Sequence, residues 1–263
     1  MTRTNGIGVA TPEHSLSGEK LSLLAIFAHS EDESFGSAGT LAKYASEGVD
    51  VSLVTATRND VVSDNGGSTS PTRDRVCSCR ASGIRRACLF NYRPGELNQV
   101  TPAVIEERLV RLIREIRPQV IVTFGPSGLT GDQDTPILNA AAIAAFRAAG
   151  DPVKFPQHFH EGLGAHTPQK LYYCVLPQSA VTRWGAQGLH SVPDTQVTTI
   201  LDVSSFSEAM KNALYCQRHR SLDFVRWLTD NPQVEWTTEY YALVESQLKK
   251  KPRREIDLFA GLR

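Results

Sequence analysis

Short apolar runs alternate with longer amphipathic stretches along this chain, and that rhythm predicts a repeat of strands and helices. LSLLAIF at 21–27 is apolar throughout, as a strand buried on both faces should be. SAGTLAKYASEG at 37–48 reads as a helix with a glycine stop, and DVSLVTA at 50–56 as the next strand. Residues 73–82 are weakly helical, and ACLFNY at 87–92 is a third strand. The spacing predicts a helix over 102–116, with Val104, Ile105, Leu109, Leu112, Ile113 and Ile116 on one face and Pro118 beyond its end. QVIVTF at 119–124 and an alanine-rich helix at 137–150 follow. LYYCVLP at 171–177 and VTTILDV at 197–203 read as strands, and 204–220 as a serine-capped helix. The pattern predicts an α/β fold: a Rossmann-like parallel sheet flanked by helices, in a single domain over 21–263 after a polar leader at 1–20.

In such folds ligands bind beyond the carboxyl ends of the strands. AHSEDE, TRND, NYRPGE and GPSGLTGDQDT each follow a strand, so these polar loops should open on the same edge. The first of them places His29 three residues before Asp32, between Glu31 and Glu33, which is half of a metal site.

Composition excludes several functions. The 28 basic and 28 acidic side chains balance, which argues against a nucleic-acid or membrane-surface partner. KKKPRRE at 249–255 reads as a solvated segment. No apolar stretch nears the roughly 20 residues that span a bilayer, and the first residues lack an apolar signal core, so a cytoplasmic protein is expected. Cys77, Cys79, Cys88, Cys174 and Cys216 are odd in number and lack zinc-knuckle spacing, which predicts buried or half-buried free thiols.

The four loops, in this order, resemble the PIG-L/LmbE family of zinc-dependent de-N-acetylases. The resemblance runs from about Leu21 onward and includes ESFGSAGTLAKYASEGVDVSLVTATR, RLVRLIREIRPQVIVTFGPSGLTG, AFRAAGDPVKFP, TPQKLYYCVLP and DLFAGLR. It is similar to the bacterial branch that includes mycothiol-pathway amidases and antibiotic-tailoring enzymes. The resemblance implies hydrolysis of an amide C–N bond. It assigns two zinc ligands to the positions of His29 and Asp32 and the general base to that of Glu31. It assigns a third ligand, a histidine, to the position of Thr135, and an oxyanion-stabilising histidine to that of Asp132.

The chain departs from the family pattern at those positions. AHPDDE has become AHSEDE, with Ser30 for proline and Glu31 for the base; GHPDH has become Gly131-Asp132-Gln133-Asp134-Thr135. A neutral hydroxyl is a poor zinc ligand, so Asp132, Asp134 or a distant histidine (His158, His160 or His219) has to complete a divalent site. Such an oxygen-rich set favours harder ions than zinc. TRGE has become Thr57-Arg58-Asn59-Asp60, and the helix motif near Cys216 carries Gln217 and then His219. Arg58, Asp60, Arg218 and His219 are candidate contacts for a small-molecule substrate. Three readings stay open: a de-N-acetylase with an altered metal site, acting on a sugar-like or amino-bearing molecule; a metal-free enzyme of specialised metabolism using His29 and clustered carboxylates; and a non-catalytic binding protein. A homo-oligomer is compatible with each.

Glu31, Asp32, Glu33, Asp132 and Asp134 should crowd one cleft, where repulsion raises some of their pKa values. Outward-facing helix caps are the alternative for Glu33 and Asp134. His158 and His160 read as surface-loop residues, and Trp227, Trp236, Tyr240 and Tyr241 as core or interface packing.

Overall fold

The apolar run at 21–27 forms β1 (Ser22–Phe27), buried at every position. A computed structural model describes residues 20–29, 31–58, 71–216, 230, 237–249 and 254–263; apart from Lys20, the expected leader at 1–20 lies outside them. A short helix α1 (Asp32–Gly36) leads into α2 (Ala38–Ser46), β2 (Asp50–Thr57), α3 (Pro71–Ala81) and β3 (Arg86–Tyr92). The repeat continues through α4 (Pro102–Ile116), β4 (Val120–Phe124), α5 (Thr135–Ala148), α6 (Gln157–His160) and β5 (Lys170–Val175). Then come α7 (Gln178–Trp184), β6 (Thr199–Asp202), α8 (Ser207–Cys216) and β7 (Thr238–Ser246).

The strands make one 7-stranded sheet in the order β3-β2-β1-β4-β5-β7-β6. β1 to β5 are parallel, while β7 lies antiparallel between β5 and β6. The sheet is therefore mixed, where the alternation of elements predicts parallel pairing throughout. Tyr240 and Tyr241 belong to β7, whose side chains are mostly half-buried, so TEYYALVES carries no continuous apolar signature.

Alternate residues of β1 feed opposite layers. Leu23, Ala25 and Phe27 pack with Leu41 and Tyr44 of α2 and with Leu258 and Phe259. Leu24 and Ile26 pack with Ile105, Leu109 and Ile113 of α4 and Leu138, Ala142 and Phe146 of α5. Gly36 is required where α1 meets the sheet: a Cβ there would lie 2.5 Å from Cys174 Sγ. The first turn of α2 is capped from far away, because Glu239 of β7 accepts the N–H groups of Gly39 at 2.9 Å and Thr40 at 2.8 Å.

Two expectations are corrected. Cys77 and Cys216 are joined in a disulfide between α3 and α8, so only Cys79, Cys88 and Cys174 are free thiols. An odd count hid a pair 139 residues apart in sequence. His158 is not in a surface loop; it is fully buried in α6. The Arg114 guanidinium donates to His158 Nδ1 at 3.2 Å, so His158 Nε2 carries the hydrogen and donates to Glu107 at 2.6 Å. Arg114 also donates to the carbonyls of Ala149, Asp151, Lys154 and Phe155, which ties down the chain between α5 and α6.

Candidate functional site

β1 pairs with β2 on one side and β4 on the other, so the order of strands reverses there. A crevice opens beyond the carboxyl ends of two such strands. His29 leaves the end of β1, and the 125–134 loop leaves β4 and runs into α5. Strand register therefore brings AHSEDE and GDQDT together across the crevice.

Both nitrogens of His29 are engaged. Nδ1 lies 3.0 Å from Thr57 Oγ1, and that hydroxyl donates to the Ala28 carbonyl at 2.8 Å. A hydroxyl with its one hydrogen spent can only accept, so Nδ1 carries the proton. Nε2 then faces Asp132 Oδ1 at 3.1 Å and Asp134 Oδ2 at 3.7 Å. A lone pair aimed at carboxylate oxygens is unfavourable unless a cation lies between them or Nε2 is itself protonated.

Asp132 starts the helix that follows it. Its Oδ1 accepts the N–H groups of Asp134 at 2.9 Å and Thr135 at 2.8 Å, and the Thr135 hydroxyl donates to Oδ2. Asp134 is buried rather than an outward-facing cap, and it accepts the N–H groups of Gly95 at 2.6 Å and Leu97 at 3.1 Å. It thereby ties the NYRPGE loop to the GDQDT loop, assisted by Gln133 Nε2 donating to the Gly95 carbonyl at 3.2 Å.

Glu31 is the N-cap residue of α1, and Asp32 and Glu33 form its first turn. Asp32 turns back, its Oδ2 accepting the backbone N–H of His29 at 2.8 Å. Glu33 points inward and is fully buried, accepting the Ser78 hydroxyl. Arg58 begins the loop after β2 and donates its backbone N–H to the Tyr92 carbonyl at 2.8 Å. Asp60, Arg218 and His219 lie outside the described residues.

Electrostatics separates these groups. Burial alone would lower the pKa of His29, but the hydrogen bond to Asp132 and the charges of Asp32 and Glu31 outweigh it and push it up to about 9. Burial would raise Asp132, yet its bonds with His29 and Thr135 hold it down at about 2. Burial raises Asp32 well above the usual carboxylate range, against the pull of the His29 charge. Glu33 is pushed up to about 8, again by burial first, with the Ser78 hydroxyl bond opposing.

The donor chemistry fits a divalent cation. One ligand atom each from His29, Asp132 and Asp134 lies within 4.8 Å of the others. A fixed Nδ1–H leaves Nε2 as a ligand of set direction. Asp32 is not part of this convergent set, and the Thr135 hydroxyl is turned to Asp132. Sequence reasoning placed Thr57 in a site loop but gave it no role, whereas it is the last residue of β2, and it missed His190, whose ring lies against Gly131. Nothing in GLHSVPD marks that histidine as packing on the loop that carries Asp132.

Residues 24–146 match the family model described as GlcNAc-PI de-N-acetylase. A 1D-myo-inositol 2-acetamido-2-deoxy-alpha-D-glucopyranoside deacetylase from Saccharopolyspora erythraea is 30% identical, with 91% of this chain and 100% of that protein covered. Among solved structures, the N,N'-diacetylchitobiose deacetylase of Pyrococcus horikoshii superposes with a TM-score of 0.65 at 17% identity, over 88% of each chain. The 4-carboxy-2-hydroxymuconate hydratase of Pseudomonas putida superposes at 0.60 and 14% identity, over 88% of this chain and 99% of that one. At such identities the two structures share the fold. The matches over nearly the whole length of the sequence relative, and the α/β architecture built around β1 and β4, place the chain in the GlcNAc-PI de-N-acetylase (PIG-L) family.

Proposed function

We propose that this protein hydrolyses the N-acyl bond of a small, sugar-like or amino-bearing substrate in the crevice beyond β1 and β4, with an altered metal site. The observation that carries this reading is the orientation of His29: Thr57 holds the Nδ1 side, so that Nε2 meets Asp132 and Asp134. Relatives matched at 29–30% identity are named as deacetylases of an acetamido sugar, which supports the substrate class.

His29, Asp132 and Asp134 are the residues that would hold a divalent cation. When bound, such a cation supplies Lewis-acid polarisation of a carbonyl or a water. One imidazole with two carboxylates is a harder donor set than a histidine-rich one, so manganese competes with zinc better here. Glu31 takes the proton of the attacking water. Its carboxylate is one methylene longer than an aspartate, which alters the geometry of that proton transfer. Asp32 orients His29 through the backbone N–H. In the net reaction the C–N bond breaks, the acyl carbon gains the water oxygen, and the amine leaves with a proton.

The same geometry favours a second reading. A proton on Nε2 satisfies Asp132 as a cation does, which makes a metal-free cleft with an imidazolium at its centre. Metal analysis of the purified protein, with acetate release from N-acetylglucosamine and its inositol glycoside before and after reconstitution, separates the two. Stoichiometric metal and metal-dependent acetate release support the first. No metal uptake, with neither melting temperature nor acetate release changed by added zinc, manganese or cobalt, overturns it.

A further inference from the structure

We propose that His190 contacts the substrate, its Nε2 accepting a hydrogen bond from a hydroxyl of the sugar-like molecule. This rests on the hydrolase reading for the class of substrate and on separate geometry for the residue.

The segment that carries His190 lies between α7 and β6 and is fastened at the carboxyl end of the sheet. Val192 donates its N–H to the Leu176 carbonyl at 2.8 Å, and Gln178 donates to the Val192 carbonyl at 2.9 Å. Pro177 and Val192 form a parallel bridge. His190 itself is pinned to the loop that carries Asp132. Its backbone N–H donates to the Leu129 carbonyl at 2.8 Å, and its Nδ1 lies 2.9 Å from the Ser127 carbonyl. A carbonyl only accepts, so Nδ1 bears the hydrogen, and the tautomer this selects has its lone pair on Nε2.

The ring packs against the glycine that precedes Asp132. Gly131 has φ +76, and a Cβ added there would lie 2.7 Å from His190 Cε1 and 3.1 Å from Nε2. Gly131 directly precedes Asp132, the carboxylate that faces His29 Nε2. The ring is exposed, and among the described residues Nε2 makes no hydrogen bond. A preoriented acceptor, packed against the glycine next to the carboxylate that faces His29, is suited to reading a hydroxyl.

The competing role is a loop staple that uses Nδ1 alone. Two substitutions separate the roles, because asparagine places its amide N–H near the Nδ1 position and glutamine places its polar end near Nε2. In acetate-release assays His190→Asn should raise KM about 3–10-fold with kcat within about twofold, the scale of one lost hydrogen bond. His190→Gln should recover most of that loss. The full chain labelled with 15N-histidine provides the second readout, the His190 signal being the one missing from His190→Gln. Its Nε2 resonance should shift when N-acetylglucosamine or glucosamine is added. A glutamine variant more impaired than the asparagine variant, or an Nε2 signal unmoved by either sugar, overturns the inference. Absence of acetate release with a shifted Nε2 signal overturns only the hydrolase reading.

Discussion

Thr57 fixes which nitrogen of His29 carries the proton. Its hydroxyl sits 3.0 Å from Nδ1 and donates its own hydrogen to the Ala28 carbonyl at 2.8 Å, so the imidazole is anchored to the residue that follows β1 through the end of β2. Thr57→Val keeps the shape and removes the acceptor. Divalent-metal affinity, measured by equilibrium dialysis, should fall about 10–100-fold, while Thr57→Ser should hold close to wild type. Equal affinity in the valine variant would show that the ring needs no such anchor.

Asp132 is the strongest influence holding His29 protonated. Asp132→Asn removes the negative charge and leaves an amide opposite Nε2. In the metal-free protein the pKa of His29, pushed up to about 9, should fall by at least about one unit, roughly 1.4 kcal/mol of lost interaction. Titration of the His29 Cε1–H resonance by NMR reads this directly. The same variant weakens the start of α5, so its melting temperature should fall as well.

Glu33 makes stability depend on pH. Its reference pKa is 4.5, and burial in the folded protein pushes it up to about 8. Between these values the native state holds a proton that the unfolded state has released, so stability is fully present below about pH 4.5 and declines as pH rises through about 8. Glu33→Gln abolishes that decline. Relative to wild type, the variant should gain on the order of 2–4 kcal/mol between pH 4.5 and pH 8.5, seen as roughly 5–10 °C in Tm. Parallel Tm–pH curves for the two proteins would show that Glu33 is not the group responsible.

The Cys77–Cys216 disulfide closes a loop of 139 residues in sequence separation. Thiol titration of the unfolded, unreduced chain should count three free thiols, rising to five after reduction. Cys216→Ser should cost about 2–4 kcal/mol in denaturant unfolding, mostly by freeing the unfolded chain. Reduction of the wild type should lower its stability by a similar amount and leave the serine variant unchanged.

The amino-acid pattern carried the part of the fold that is built locally. β1, β2 and β4 show as apolar runs because helices cover both their faces, and α4 shows as a periodic stripe because one of its faces meets solvent. The convergence of His29 with Asp132 and Asp134 follows from that alternation, since each follows a parallel strand beside the switch in order. What stayed hidden depends on distant partners. Cys77 finds Cys216, Arg114 of α4 reaches the chain around Asp151, and Glu239 of β7 serves α2. His190 is fastened to the loop that carries Asp132 through carbonyls of Ser127 and Leu129, which no side-chain pattern encodes.

The placement of β7 sets a timetable for folding. β5 and β6 are separated in the sheet by a strand that comes later in the chain than either. Until residues 238–246 have left the ribosome, β5 has an open edge and β6 has no partner strand to join. The first turn of α2 is incomplete for the same interval, because Glu239 lies 200 residues after Gly39. Long-range closure of this kind slows folding and leaves strand edges exposed to other chains. Nascent chains halted before Thr238 should therefore be the species that chaperones hold and proteases cut, while the β3-β2-β1-β4 half already has its neighbours.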